Sequence, residues 1–310
     1  MNKYPFCLFR IPEKGGRVLW EITNTCNYHC SYCIFSCENK KYENELTTNE
    51  VKEVIQDLKQ NNFSYIKFTG GEPFVRKDMI EILKYSSELG FDMDISTNAS
   101  LVTNEIAKIL KEINFPMVHV SLDGYDKESH EYVRGKNTFE PTLRGIKNLT
   151  ENNIYTRIGT VIYKENENNL EDIIKLAIKL GVNEIIFSFM EADGRLNGDD
   201  NIISKREIKD VKNEIEILSK KYENKINVKY SFSENNTSQS EGICPAVNKF
   251  IYINNLGEIS PCTWVSSKYK SELTLKNSKF NEIINSKQIQ SYLKYIRENE
   301  IKGCPVSRRD

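Results

Sequence analysis

Residues 17–33 read RVLWEITNTCNYHCSYC. The first seven are β-branched, aromatic or aliphatic with two charged interruptions, the composition of a strand. A short polar turn follows and delivers Cys26, Cys30 and Cys33 within one loop, at the spacing C-x3-C-x2-C. Three thiolates on one tight loop can ligate three corners of a 4Fe–4S cube. The fourth iron is then left without a protein ligand, which is what a ligand-binding cluster needs. The competing reading is a zinc site, which favours four Cys or His ligands, commonly as paired C-x2-C units. His29 or Cys37 would then supply the fourth.

Outward from this stretch, five more segments carry strand composition: 65–69 (YIKFT), 92–97 (DMDIST), 117–122 (MVHVSL), 156–163 (TRIGTVIY) and 184–190 (EIIFSFM). Amphipathic segments lie between them. In 47–60, Val51, Val54, Ile55 and Leu58 form an i, i+3, i+4, i+7 stripe behind a cap expected at Thr48. Segments 78–90 and 169–181 end in Gly90 and Gly181, the usual left-handed stop. Six strands separated by helices predict right-handed βα units and a parallel sheet. The fold class is α/β, a partial (β/α)6 TIM-like barrel, whose chemistry belongs at the C-terminal ends of the strands. After Gly194 the pattern changes to a polar helix (205–222), a loop (231–242), a hairpin (249–262) around Asn254-Asn255 and Gly257, and a last helix (280–298). The expected organisation is an N-terminal extension (1–16), the barrel (17–195), a linking helix and loop (196–243) and a small α+β region (244–310).

Composition narrows the function. Among 310 residues, 39% are hydrophobic and 28% charged, ordinary for a globular protein with a sizeable core. The formal net charge of -1 offers no basic excess for counterion release, which argues against extended nucleic-acid binding. No signal peptide or membrane span is legible, so a cytoplasmic protein without membrane partners is expected. In a reducing compartment, eight cysteines point to metal or catalysis rather than to disulfides.

The second strand ends in FTGGEP (68–73). Glycines permit close approach of backbone to a ligand, although an ordinary strand-to-helix turn would read the same. The fourth strand ends in VSLDG (120–124), followed by HEYVRG (130–135). Alternation places Asp94, Ser96 and Asn98 on one face of the third strand, and His119, Ser121 and Asp123 on one face of the fourth. Asp123 is equally a turn-former. Arg134 is equally a solvated helix-end residue, and His119 reads as a satisfied core histidine.

The cysteine loop with Tyr32 before its last cysteine, the GGE motif and the VSLDG strand end resemble the signature of the radical S-adenosylmethionine superfamily, over roughly residues 17–190. The resemblance implies a partial (β/α)6 barrel and a cluster on Cys26, Cys30 and Cys33 with an open iron that holds S-adenosylmethionine. It implies contacts to that cofactor from Tyr32, Gly70, Gly71, Glu72, Pro73, Ser96, Asn98, Ser121 and Arg134, with Glu72 against the α-ammonium group. The segment from Cys244 to Cys262, C-x12-G-x4-C, resembles the opening of the twitch and SPASM extensions, which carry auxiliary iron–sulfur clusters. Cys304 would be its third ligand; Ile301 stands where a fourth thiolate is expected. The resemblance implies radical abstraction of hydrogen from a substrate C–H bond, in oxidative maturation of a peptide or protein. Oxidation or rearrangement of a small molecule, a sugar or cofactor precursor, is the alternative, and a non-catalytic iron–sulfur electron carrier is the rival from another class. Expected partners are the substrate, an electron donor such as flavodoxin or ferredoxin, and a separate leader-peptide-binding protein, since only 25 residues precede Cys26.

Overall fold

The computed structural model describes residues 14–191, 193–199, 201–231, 244 and 246–298. Strand β1 (Gly16–Thr23) opens the chain of βα units. It is followed by α1 (Thr48–Gln60), β2 (Phe63–Gly70), α2 (Met79–Glu88), β3 (Asp92–Thr97), α3 (Asn104–Glu112), β4 (Met117–Ser121) and α4 (Lys127–Arg134). Then come α5 (Phe139–Glu151), β5 (Thr156–Ile162), α6 (Leu170–Lys179), β6 (Glu184–Phe189), α7 (Ile208–Tyr222) and β7 (Asn227–Tyr230). The C-terminal part supplies β8 (Phe250–Ile253), β9 (Ile259–Ser260), α8 (Ser266–Tyr269), α9 (Phe280–Ile284) and α10 (Lys287–Glu298).

The nine strands among the described residues form one open sheet in the order β7-β6-β5-β4-β3-β2-β1-β8-β9. Strands β1 to β7 pair in parallel with their sequence neighbours, as right-handed βα units require. The sheet does not close, in agreement with the partial barrel expected from the strand count. Segment 196–243 supplies more than a linking helix and loop, because β7 adds a seventh parallel strand beside β6. The 249–262 hairpin forms as expected, with β8 and β9 antiparallel. Its register beside β1, Arg17 opposite Phe250 through Trp20 opposite Ile253, makes it part of the barrel sheet.

Alternation along the strands divides the molecule. Outward residues such as Trp20, Phe68, Ile95, Val120, Ile158 and Phe187 are fully buried against the helices in one continuous core. Helix α1 docks through Val51, Val54, Ile55 and Leu58, the stripe read from the sequence. Its cap is Thr47, one residue before the expected Thr48: Thr47 and Glu50 form a reciprocal capping box, and Thr48 instead donates to Asp78 at 2.7 Å. Inward residues are unlike a packed barrel interior. They include Arg17, Lys67, Asp94, His119, Arg157 and Glu184, so the interior is polar and ionic.

Candidate active site

The cysteine loop leaves the C-terminal end of β1 and is fixed from three sides. From β2, the Gly71 amide donates to the Thr23 carbonyl at 2.8 Å and the Glu72 amide to the Thr25 carbonyl at 2.9 Å. A Cβ on Gly70 would stand 2.2 Å from the Thr23 carbonyl oxygen, and one on Gly71 2.1 Å from that of Thr25. The two glycines therefore let β2 close onto the backbone of the cysteine loop. Sequence reasoning assigned them to close approach of a ligand; the body they approach here is the loop that carries the thiols. From β3, Asn98 donates to Asn27 at 2.9 Å and Asn27 donates to Ser100 at 2.8 Å. From beyond β6, the Arg195 amide donates to the Cys33 carbonyl at 3.0 Å, and its guanidinium donates to the carbonyls of Cys30 and Cys37. Asn27 and Arg195 were not found by sequence reasoning. A Gly-Arg pair after a strand has no spacing that ties it to a loop over 150 residues earlier.

Glu72 is fully buried. One carboxylate oxygen accepts from the Thr97 hydroxyl at 2.7 Å and the Phe74 amide at 3.1 Å, and the other from the Asn98 amide at 2.7 Å. These bonds tie the ends of β2 and β3 together. Pro73 opens the single 3-10 turn that follows. Burial pushes the Glu72 carboxyl up to about 7 from 4.5, against the pull of its three donors. A raised folded-state pKa means that the folded form favours the protonated acid. That contribution is complete below about pH 4.5 and is lost as pH rises through about 7. The metal-free protein is therefore expected to lose roughly 3 kcal/mol of stability to this group between pH 4.5 and 8. Urea unfolding of wild type and Glu72→Gln across that range measures it, and parallel profiles for the two proteins would contradict it.

On the other flank, Asp123 organises the strand end. Tyr32 donates to its Oδ2 at 2.6 Å, Arg134 Nε donates to the same oxygen at 2.5 Å, and the Val161 amide donates to Oδ1 at 2.9 Å. Arg134 also lies over the Tyr32 ring at 5.1 Å and reaches Cys30 Sγ at 3.7 Å. Arg134 is thus no solvated helix end: its side chain is 12% exposed, paired, and aimed at a thiol. Asp123 is likewise more than a turn-former.

Cys26 and Cys30 are buried and Cys33 half-buried. Burial pushes the Cys26 thiol up to about 12 and raises Cys30, whereas the hydrogen bond shared with Cys37 lowers Cys33. Cys37 is itself occupied, donating to Asn24 Oδ1 at 2.8 Å. A single zinc ion with four sulfurs at about 2.3 Å needs those sulfurs within about 4 Å of each other. Among the described residues no three Cys, His, Asp or Glu side chains converge in that way. Three thiols carried on one loop, with the Arg134 guanidinium 3.7 Å from Cys30 Sγ, are the donor set that three corners of an iron–sulfur cube take.

The family model described as the radical SAM superfamily matches residues 20–177. The chain belongs to that superfamily. Membership implies a 4Fe–4S cluster and S-adenosylmethionine, and members of the superfamily are enzymes. Among curated relatives, the Fe-coproporphyrin III synthase of Methanosarcina barkeri is 37% identical over 184 residues, covering 59% of this chain and 46% of its own. The mycofactocin maturase MftC of Mycolicibacterium smegmatis is 32% identical over 163 residues, covering 52% and 41%. The chain thus spans about half the length of the curated relatives it matches. Among solved structures, Streptococcus suis SuiB bound to S-adenosylmethionine superposes with a TM-score of 0.74 over 90% of this chain and 68% of that one, at 17% identity. That likeness shows the fold.

The remaining expected site residues lie on the inner face. Ser96 and Ser121 are half-buried, and Asn98 lies at the rim in contact with the cysteine loop. The C-terminal cysteines are less gathered. Cys244 packs with Ala246, Val247 and Tyr292, its sulfur 3.5 Å from the Tyr292 hydroxyl. Cys262 packs instead against Leu19, Phe250 and Tyr252. Cys304 lies outside the described residues. No described helix is long and apolar enough to cross a membrane.

Proposed function

We propose that this chain is a radical maturase that reductively cleaves S-adenosylmethionine and takes hydrogen from a C–H bond of a peptide or protein. The observation that supports this most is the single assembly built on Cys26, Cys30 and Cys33, in which GGE, Asp123-Arg134 and Arg195 all hold one loop. The cluster, when bound, supplies the electron that splits the cofactor into methionine and a 5′-deoxyadenosyl radical. The protein's own residues orient and exclude water. Arg134 places positive charge beside Cys30 and suits the cofactor carboxylate, since a guanidinium recognises carboxylates in a bidentate manner. Ser96, Asn98, Ser121 and Tyr32 would line the cofactor, with Gly70, Gly71, Glu72 and Pro73 behind them holding the cysteine loop in place.

The peptide reading is supported by the likeness to MftC and to the fold of SuiB, of which one structure is described as bound to its precursor peptide SuiA. A second reading, radical modification of a cofactor precursor, is favoured by the 37% identity to Fe-coproporphyrin III synthase. We further propose an auxiliary cluster on Cys244, Cys262 and Cys304, which would take the substrate electron, and an external electron donor such as flavodoxin or ferredoxin. A leader-peptide-binding protein belongs to the peptide reading.

Replacing Cys244, Cys262 and Cys304 together by Ala is expected to remove about half of the iron, from about eight atoms per chain, while cleavage of S-adenosylmethionine survives. Iron analysis and absorption spectra of both proteins read this, and an unchanged iron content would remove these cysteines as ligands. For the main reading, S-adenosylmethionine binding is measured by equilibrium dialysis on iron-loaded and iron-free protein. Binding that needs the iron supports it; equal binding by both argues against it.

A further inference from the structure

The middle of the barrel holds a group that the sequence reading set aside. His119 lies on the inner face of β4, with Ser96 beside it on β3 and Arg157 beside it on β5. It is not the satisfied core histidine that its isolation suggested. Its Nδ1 is buried without a hydrogen-bond partner. Its Nε2 stands over Gly159, so close that a Cβ there would lie 2.1 Å from the nitrogen. A buried N–H without an acceptor is rarer than an underused acceptor, so the ring proton belongs on Nε2. Ser96, His119, Ser121, Gly159 and Ser188 all face inward and all are only half-buried, so the interior is open to this depth. Gly159 thus clears room for a histidine donor that has no acceptor of its own.

Asp94 is paired with Lys67 at 2.9 Å and with Arg17 at 3.3 Å. Glu184 is paired with Lys229 at 2.6 Å and with Arg157. Among the described residues, Lys67 and Arg157 flank the imidazole, and each shares its carboxylate with a second cation. Burial, with Lys67 and Arg157 adding to it, holds the His119 imidazole well below its ordinary value, at about 3. A neutral donor between two cations that share their carboxylates with other cations is a setting for an anion rather than for a metal ion or an ammonium group.

We infer that the barrel interior receives an anionic oxygen group of the substrate, carboxylate or phosphate, at His119 Nε2 between Lys67 and Arg157. This rests on the reading that radical chemistry at the cysteine loop takes hydrogen from a bound substrate. It adds a substrate class to that reading: a molecule whose reacting C–H bond is presented by an anchored anionic group. The group would sit on the middle layer of the interior, below the strand ends that carry the cysteine loop.

The chain has three histidines, His29, His119 and His130, so imidazole resonances report the site directly. The full reconstituted protein, labelled with 15N-histidine, is titrated at neutral pH with glutarate, inorganic phosphate and neutral glutaramide. Glutarate or phosphate is expected to move the His119 signal saturably and to leave His29 and His130 in place, while glutaramide moves none. The anion that saturates at lower concentration distinguishes a carboxylate from a phosphate substrate. Lys67→Met is expected to weaken the response at least about tenfold, as loss of a charge-assisted contact does. Arg157→Met serves as a second variant should Lys67→Met fail to fold by circular dichroism. A His119 signal unmoved by both anions, or moved equally in wild type and a folded variant, overturns the inference. Cleavage of S-adenosylmethionine does not enter this readout, so a chain that cleaves the cofactor yet shows no His119 response loses only this inference.

Discussion

Replacement of Cys26, Cys30 and Cys33 together by Ala is expected to abolish formation of 5′-deoxyadenosine and to remove about four irons per chain. The size of the effect follows from the absence of a substitute. Cys37, the next thiol along the loop, is buried and bonded to Asn24. It cannot take the place of three ligands. Fold and cluster separate cleanly here, because the barrel core lies on the outer face of the strands and includes none of these cysteines. The variant is therefore expected to keep the wild-type circular dichroism spectrum while its chromatogram shows no 5′-deoxyadenosine. Wild-type cleavage in this variant would remove the three thiols from the site.

The largest expected effect on stability comes from Asp123→Ala. The side chain of Asp123 is fully buried and is shared by Arg134, Tyr32 and the Val161 amide. Removing it leaves the Arg134 guanidinium buried without its anion. Breaking a buried pair by deleting one partner costs about 3–5 kcal/mol. Urea unfolding of the metal-free protein measures it. The double variant Asp123→Ala with Arg134→Met is expected to recover part of the loss, since no unpaired charge then remains. A loss of less than about 1 kcal/mol in the single variant would show that the pair behaves as a surface salt bridge does.

The barrel was legible because its strands carry their apolar residues on one face, toward the helices. Trp20, Ile66, Phe68, Val118, Val120 and Ile185 mark that face in the sequence, and all are fully buried in the fold. Strand β7 escaped notice because NVKY offers one buried residue, Val228, in four. The hairpin was legible from its own turn residues, but its parallel pairing with β1 was not. No local pattern announces a partner more than 200 residues away in sequence. The cap of α1 moved by one position because Thr47 and Thr48 are chemically equivalent candidates and only the reach of Glu50 decides between them.

The site divides along the same line. Spacing along one loop gave the three thiols, and motif order gave GGE and the VRG arginine. What each group touches depends on which strand ends meet. That juxtaposition turns Gly70 and Gly71 from a ligand cradle into a seat for the cysteine loop. It excludes the solvated reading of Arg134 by making it the buried partner of Asp123, and it leaves His119 half-buried on the inner face.

The central claim is that this chain turns S-adenosylmethionine into a radical source at one cluster. Its most direct test is the reaction of anaerobically reconstituted wild type with S-adenosylmethionine and dithionite, followed by chromatography with mass detection. The account predicts 5′-deoxyadenosine and methionine in equal amounts, formed slowly without any substrate and dependent on reductant. Intact S-adenosylmethionine, in the presence of protein that holds at least about four irons per chain, would contradict it.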